Sequence, residues 1–202
     1  MSLKYFVHVS SVSNLSDARY CSGMMVDSIG FNLDENSPYK LSIDSVIEIS
    51  NWINGVKIIA EFNNSSDEYI NSILDKKKFD GIQVDLTKST KRIIKISNEN
   101  IIVKISDPKL INKHINSYMN KNFPSSNTIF IDNLTNQNKN LLERIDNNFL
   151  VVINPYDKIN EISSFIEVNN YGLLLKGTDE IRPGLKDYDS LSDYLDSIDN
   201  SF

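Results

Sequence analysis

Short runs of Val, Ile, Leu and Phe recur along the chain, and each is followed by a stretch with apolar residues three and four positions apart. Near-continuous apolar runs are what parallel strands show when helices cover them, and the 3.6-residue spacing marks the helices. The runs predict strands over 5–10, 28–33, 56–62, Gly81–Asp85, 101–106, 128–132, 149–153 and 171–176. Asn14 caps a predicted helix reaching about residue 25, and Ser42 caps the next, with Ile43, Val46, Ile47 and Ile49 as its apolar stripe. Ser65-Ser66-Asp67-Glu68 reads as a capping box before Tyr69, Ile70, Ile73 and Leu74. Further helices are predicted over 87–97, 108–120, 137–145, 158–168 and 188–198.

That makes eight strand–helix units at a pitch of roughly 25 residues, the alternation that builds a parallel sheet by right-handed crossovers. Eight units closing on themselves give an α/β fold, the (β/α)8 TIM barrel, here of minimal size. An open doubly wound sheet is the alternative. No linker interrupts the pattern, so residues 1–202 are expected to form one barrel domain.

Composition narrows the partners. A formal net charge of −6 argues against a nucleic-acid binder, and the Lys76-Lys77-Lys78 run reads as a solvated helix end. No apolar run approaches the ~20 residues of a membrane span, and no secretory signal is visible, so a cytoplasmic protein is expected. With one cysteine, Cys21, a disulfide within the chain is excluded. Cys21 and Trp52 read as packed residues, and His114 as exposed. No metal-ligand spacing, P-loop or dinucleotide fingerprint is present, so no metal and no cofactor are expected.

Two segments carry a family resemblance. In residues 15–50, "LSDARYCSGMMVDSIGFNLDENSPYKLSIDSVIEIS", Asp17-Ala18, Gly30-Phe31 and Ser37-Pro38 stand in order. In residues 179–191, "DEIRPGLKDYDSL", Glu180, Pro183, Gly184, Lys186 and Asp187 follow a Glu-x-x-Pro-Gly-x-Lys-Asp pattern. Both resemble phosphoribosylanthranilate isomerase of tryptophan biosynthesis, which implies a (β/α)8 barrel and an Amadori rearrangement of a phosphorylated aminosugar. That reaction needs an acid to open a furanose ring, a base to take a carbon-bound proton, and backbone N–H groups to cradle a phosphate.

Carried over residue by residue, the resemblance implies an altered site. The family's cysteine base falls at Ser10 and the glycine after it at Ser11. A serine hydroxyl is a far weaker acid than a thiol, so it needs a base beside it. His8, two positions earlier, shares its strand face, or else fills the polar barrel interior where the family often has lysine. The family's acid falls at Asp132, and its Gln-Leu-His-Gly becomes Gln83-Val84-Asp85-Leu86, so Asp85 replaces a histidine. The arginine of its Ser-Pro-Arg turn becomes Tyr39, with Lys40 adjacent. The glycine-rich loop after strand six falls in Asn-rich residues 133–140, which contain no glycine, and Asn154-Pro155 remain as a helix-capping pair after strand seven. Lys176, Gly177 and Thr178 are the remaining candidates for an anion. Two acids, Asp85 and Asp132, facing a dianion have the wrong sign unless one is protonated or paired.

Three readings stay open. One is an isomerase-type barrel with a degenerate site, a pseudoenzyme acting through a small phosphorylated metabolite, a homodimer or an enzyme partner. Another is an active isomerase using Asp132 with Asp85 or His8. The third is a different small-molecule enzyme built on Asp85, Asp132 and Glu61.

Overall fold

The computed structural model describes residues 3–86, 100–155, 159–177, 180–182, 185–186 and 189–198. Eight parallel strands close into a barrel: β1 (Val7–Ser10), β2 (Ser28–Asn32), β3 (Lys57–Phe62), β4 (Gly81–Asp85), β5 (Ile101–Ile105), β6 (Thr128–Ile131), β7 (Leu150–Ile153) and β8 (Gly172–Lys176). Closure is the β1–β8 pairing, which runs in register from Val7 opposite Leu173 to Ser10 opposite Lys176. Each strand matches its apolar run to within two residues at either end.

The helices are α1 (Leu15–Gly23), α2 (Ile43–Ser50), α3 (Asp67–Leu74), α4 (Ile115–Asn122), α5 (Ile159–Asn169) and α6 (Asp189–Ser197). A short hairpin, β9 (Glu180–Arg182) with β10 (Leu185–Lys186), precedes α6. Side-chain caps start the first three helices: Asn14 accepts from Asp17 N at 2.9 Å, Ser42 from Ser45 N at 3.0 Å and Ser66 from Tyr69 N at 3.2 Å. Ser65, its neighbour in the capping sequence, instead donates to Asp34 at 2.6 Å.

Alternation along the strands sorts the core into two shells. Outward residues such as Val7, Val9, Ile29, Phe31, Ala60, Phe62, Val103, Ile129 and Ile131 pack under the helices. Inward residues Ile59, Ile102, Phe130, Val152 and Leu174 form a second, smaller cluster inside the barrel. Full burial of such a side chain contributes roughly 1.5–3 kcal/mol.

Several expectations need correction. The stretch 108–120 is a 3-10 turn, Pro108–Leu110, followed by α4. Asn112 breaks the continuity, its side chain accepting from His114 N at 2.9 Å. The stretch 137–145 is only a 3-10 helix, Lys139–Arg144. Asn154 does not cap α5, which begins at Ile159; its Oδ1 accepts from Leu134 N at 2.9 Å. Trp52 is 62% exposed rather than packed, because it falls in the turn after α2, where the Arg19 guanidinium lies 5.6 Å from its ring centroid. Cys21 is buried on α1 and His114 is exposed at the start of α4, as read. The helix expected over 87–97 lies outside the described residues. Among those described, no helix is long and apolar enough to cross a membrane.

Candidate functional site

The carboxyl ends of the strands bring Ser10, Glu61, Asp85, Lys104, Asp132 and Lys176 to one end of the barrel, the end where such folds place their chemistry. Ser10 is buried at the end of β1, with its Oγ 3.4 Å from Ser11 Oγ. Ser11 follows with φ +57°, a left-handed conformation that favours glycine. Its N–H donates to both Glu61 oxygens, at 3.1 and 3.3 Å, and its Oγ donates to Oε2 at 3.3 Å. The carboxylate thus holds the turn in a conformation serine disfavours.

Glu61 sits on β3 and reaches β1 across β2. It passes over Gly30, where an added Cβ would stand 1.9 Å from Glu61 Oε1. A residue with any side chain at 30 would exclude the acid. Below the mouth, His8 is fully buried; its Nε2 lies 3.4 Å from Glu61 Oε1 and its Nδ1 2.8 Å from Ser28 Oγ. An ionised carboxylate only accepts, so the network assigns a proton to Nε2. Both ring nitrogens are therefore engaged by Glu61 and Ser28, leaving neither to activate Ser10. The imidazole also lies 4.5 Å from the Phe130 ring, centroid to centroid. Burial alone would push the Glu61 carboxyl up; the His8 contact, the Ser10 hydroxyl and the charge of Lys104 outweigh it and hold the group below the usual carboxylate range.

Across the barrel, Lys104 Nζ is 3.1 Å from Asp132 Oδ2. Lys104 points inward from β5 and is 15% exposed; Asp132 follows β6 and is 35% exposed. Asp132 Oδ1 also accepts from Asn133 N at 2.9 Å. Asn133 is left-handed, with φ +53°, and its Nδ2 donates to Ser106 O at 2.9 Å, tying the ends of β5 and β6 together. Asp85 is buried at the end of β4, in register with Lys104, and accepts from the Ser106 hydroxyl. The two acids of unfavourable sign are thus supplied with partners from β5.

A cavity of about 320 Å³ opens beside Asp132, lined also by Asn154, Pro155, Leu174, Lys176 and Tyr194. Lys176 is exposed, and Gly177 is the point where β8 meets β1: its N–H donates to Ser10 O at 2.7 Å, and a Cβ there would lie 2.9 Å from Ser11 O. Thr178 lies outside the described residues. Tyr39 is 82% exposed, while Lys40 donates to Glu35 O at 3.0 Å and stands 5.6 Å from the Tyr69 ring centroid. Those two residues occupy the β2–α2 loop, with contacts local to it and to α3. Among the described residues no group of three or more His, Cys, Asp or Glu could hold a metal.

Lys104 escaped the sequence reading, although a lone lysine at an inward position of "IIVKI" is a visible signal in an otherwise apolar strand. Glu61 entered only as a third-rank candidate. Its signal was Gly30, whose meaning depends on register and could not be read from spacing.

No family model matches the sequence, and no curated protein does. Solved structures do match in fold. Phosphoribosyl anthranilate isomerase from Thermus thermophilus is 12% identical with a TM-score of 0.71, covering 95% of this chain and 96% of that one. The enzyme from Thermotoga maritima is 18% identical, with a TM-score of 0.70 over 96% of this chain and 98% of its own. A third structure, of the isomerase in complex with reduced 1-(o-carboxyphenylamino)-1-deoxyribulose 5-phosphate, is 18% identical with a TM-score of 0.68, covering 95% and 96%. At these identities the likeness is one of fold: along nearly its whole length the chain resembles phosphoribosylanthranilate isomerases.

Proposed function

We propose that this protein is a divergent barrel of the phosphoribosylanthranilate isomerase type, with a degenerate active site and little or no isomerase activity. The reading is carried by one observation at the end of β1. The residue at the position of the family's cysteine base is Ser10, and the carboxylate nearest that turn, Glu61, is already engaged by His8 and by the Ser11 N–H and hydroxyl. A carboxylate held below its ordinary range is a poor base for a carbon-bound proton. The acid position supports the same reading, since Asp132 is ion-paired with Lys104 while ring opening needs a carboxyl that gives up a proton. A cytoplasmic role with a small metabolite or a protein partner goes with this proposal.

The test is direct. Purified protein incubated with phosphoribosylanthranilate is expected to show no turnover above the uncatalysed background, and its gene is expected not to rescue a strain lacking the isomerase. Turnover at an ordinary enzymatic rate would overturn the proposal. Reduced 1-(o-carboxyphenylamino)-1-deoxyribulose 5-phosphate is expected not to raise the melting temperature, because tight binding stabilises the folded state by mass action and this mouth lacks the grip for it.

A further inference from the structure

Gln83 is an unpartnered group that the proposed function does not use. It is 1% exposed, and its Oε1 has no hydrogen-bond partner in the structure. Burying an amide oxygen without a donor costs roughly 1–3 kcal/mol, so such an atom calls for a donor from outside the chain. The side chain faces the barrel interior: Gln83 is the register partner of Glu61, which crosses that interior to reach His8. Two residues further along the same face stands Asp85, with Lys104 beside it in register and Asp132 on Lys104. Hydrogen-bonding groups of both kinds, mostly acceptors, therefore rise from mid-barrel to the mouth above the apolar cluster of Ile102, Phe130, Val152 and Leu174.

We propose that the mouth binds an unphosphorylated sugar or sugar alcohol, one hydroxyl donating to Gln83 Oε1 and others exchanging hydrogen bonds with Asp85, Lys104 and Asp132. This rests on the reading that the site has left isomerase chemistry. A hydroxyl both donates and accepts, and so matches carboxylates, an amide oxygen and an ammonium together. A phosphate only accepts, and it would meet three carboxylates, Glu61, Asp85 and Asp132, against two lysines, Lys104 and Lys176. The apolar cluster suits the C–H faces of a sugar, and the 320 Å³ cavity beside Asp132 is at the small end of ligand pockets.

Calorimetric titration with D-ribose and with xylitol, against D-ribose 5-phosphate, tests this. At least one neutral probe is expected to bind, and more tightly than the phosphate. Gln83→Met keeps the side chain's shape and removes the orphan acceptor. It is expected to weaken that binding about tenfold while leaving the melting temperature unchanged or higher. Asp132→Asn is expected to weaken it as well. Tighter binding of D-ribose 5-phosphate, wild-type affinity in Gln83→Met (a water then being the donor), or no heat from either neutral probe would each overturn the inference. Turnover of phosphoribosylanthranilate would instead sink the functional reading, so the two failures are distinguishable.

Discussion

The two halves of the barrel interior are built on different principles. From β1 to β4 the inward positions carry His8, Ser10, Ser28, Gly30, Glu61 and Gln83, so polarity descends well below the mouth. From β5 to β8 they carry Ile102, Phe130, Val152 and Leu174, and polar groups begin only at the rim with Lys104, Asp132 and Lys176. A buried charge is tolerated only when paired and hydrogen-bonded. The first half must therefore be satisfied from within, which ties its side chains to one another. The second half rests on shape, which leaves its rim groups freer to meet a ligand. The half that carries the position of the family's base is thus the half whose polar groups are most committed to each other.

That contrast can be broken from either side. Phe130→Ala removes a fully buried ring from the apolar half and the face on which His8 rests; a loss of about 3–5 kcal/mol is expected in urea unfolding. In the polar half, Glu61→Ala strips His8 and the Ser11 N–H of their acceptor, with an expected loss of about 3 kcal/mol. Gly30→Ala should mimic it, because the new methyl occupies the place of Glu61 Oε1. In a double-mutant cycle the two changes should fall well short of additive, whereas either combined with Phe130→Ala should be closer to additive.

A pH series sharpens the comparison. The Glu61 carboxyl is held below its model value of 4.5, so it binds fewer protons folded than unfolded. Its contribution is complete above about 4.5 and is lost as pH falls through the lower folded value. Stability measured down that range should fall more steeply in wild type than in Glu61→Gln. The smallest effect belongs to Ser11. Ser11→Gly relieves a left-handed serine but gives up a 3.3 Å hydroxyl contact, leaving a net gain below about 1 kcal/mol. Ser11→Ala keeps the strain and loses the contact, and should be less stable than Ser11→Gly by about 1 kcal/mol.

How much was legible follows from the same division. Strands packed on both faces announce themselves as unbroken apolar runs, and Val7–Ser10 through Gly172–Lys176 were all found with small errors at their ends. Caps were legible because their chemistry is local, as at Asn14 and Ser42. What failed was decided elsewhere in the fold. Trp52 looked apolar enough to be buried, but the turn after α2 leaves it in solvent. The Asn112 side chain diverts a helix that hydrophobic spacing alone would continue. At the site, Ser10, His8, Asp85 and Asp132 could be placed at strand ends from the sequence, but their partners could not. The Lys104–Asp132 and His8–Glu61 pairs span one and two strand boundaries, and only closure of the sheet brings them together.

The missing side chain at position 30 has an evolutionary consequence. A lineage that gains a methyl there must give up its acid at 61 in the same step, or pass through a crippled ancestor. Once that acid is gone, the histidine and the strained serine lose their reason to stay. Residues 8, 11, 30 and 61 should accordingly be inherited or abandoned as a set, which offers a way to recognise true descendants of this barrel among its many look-alikes.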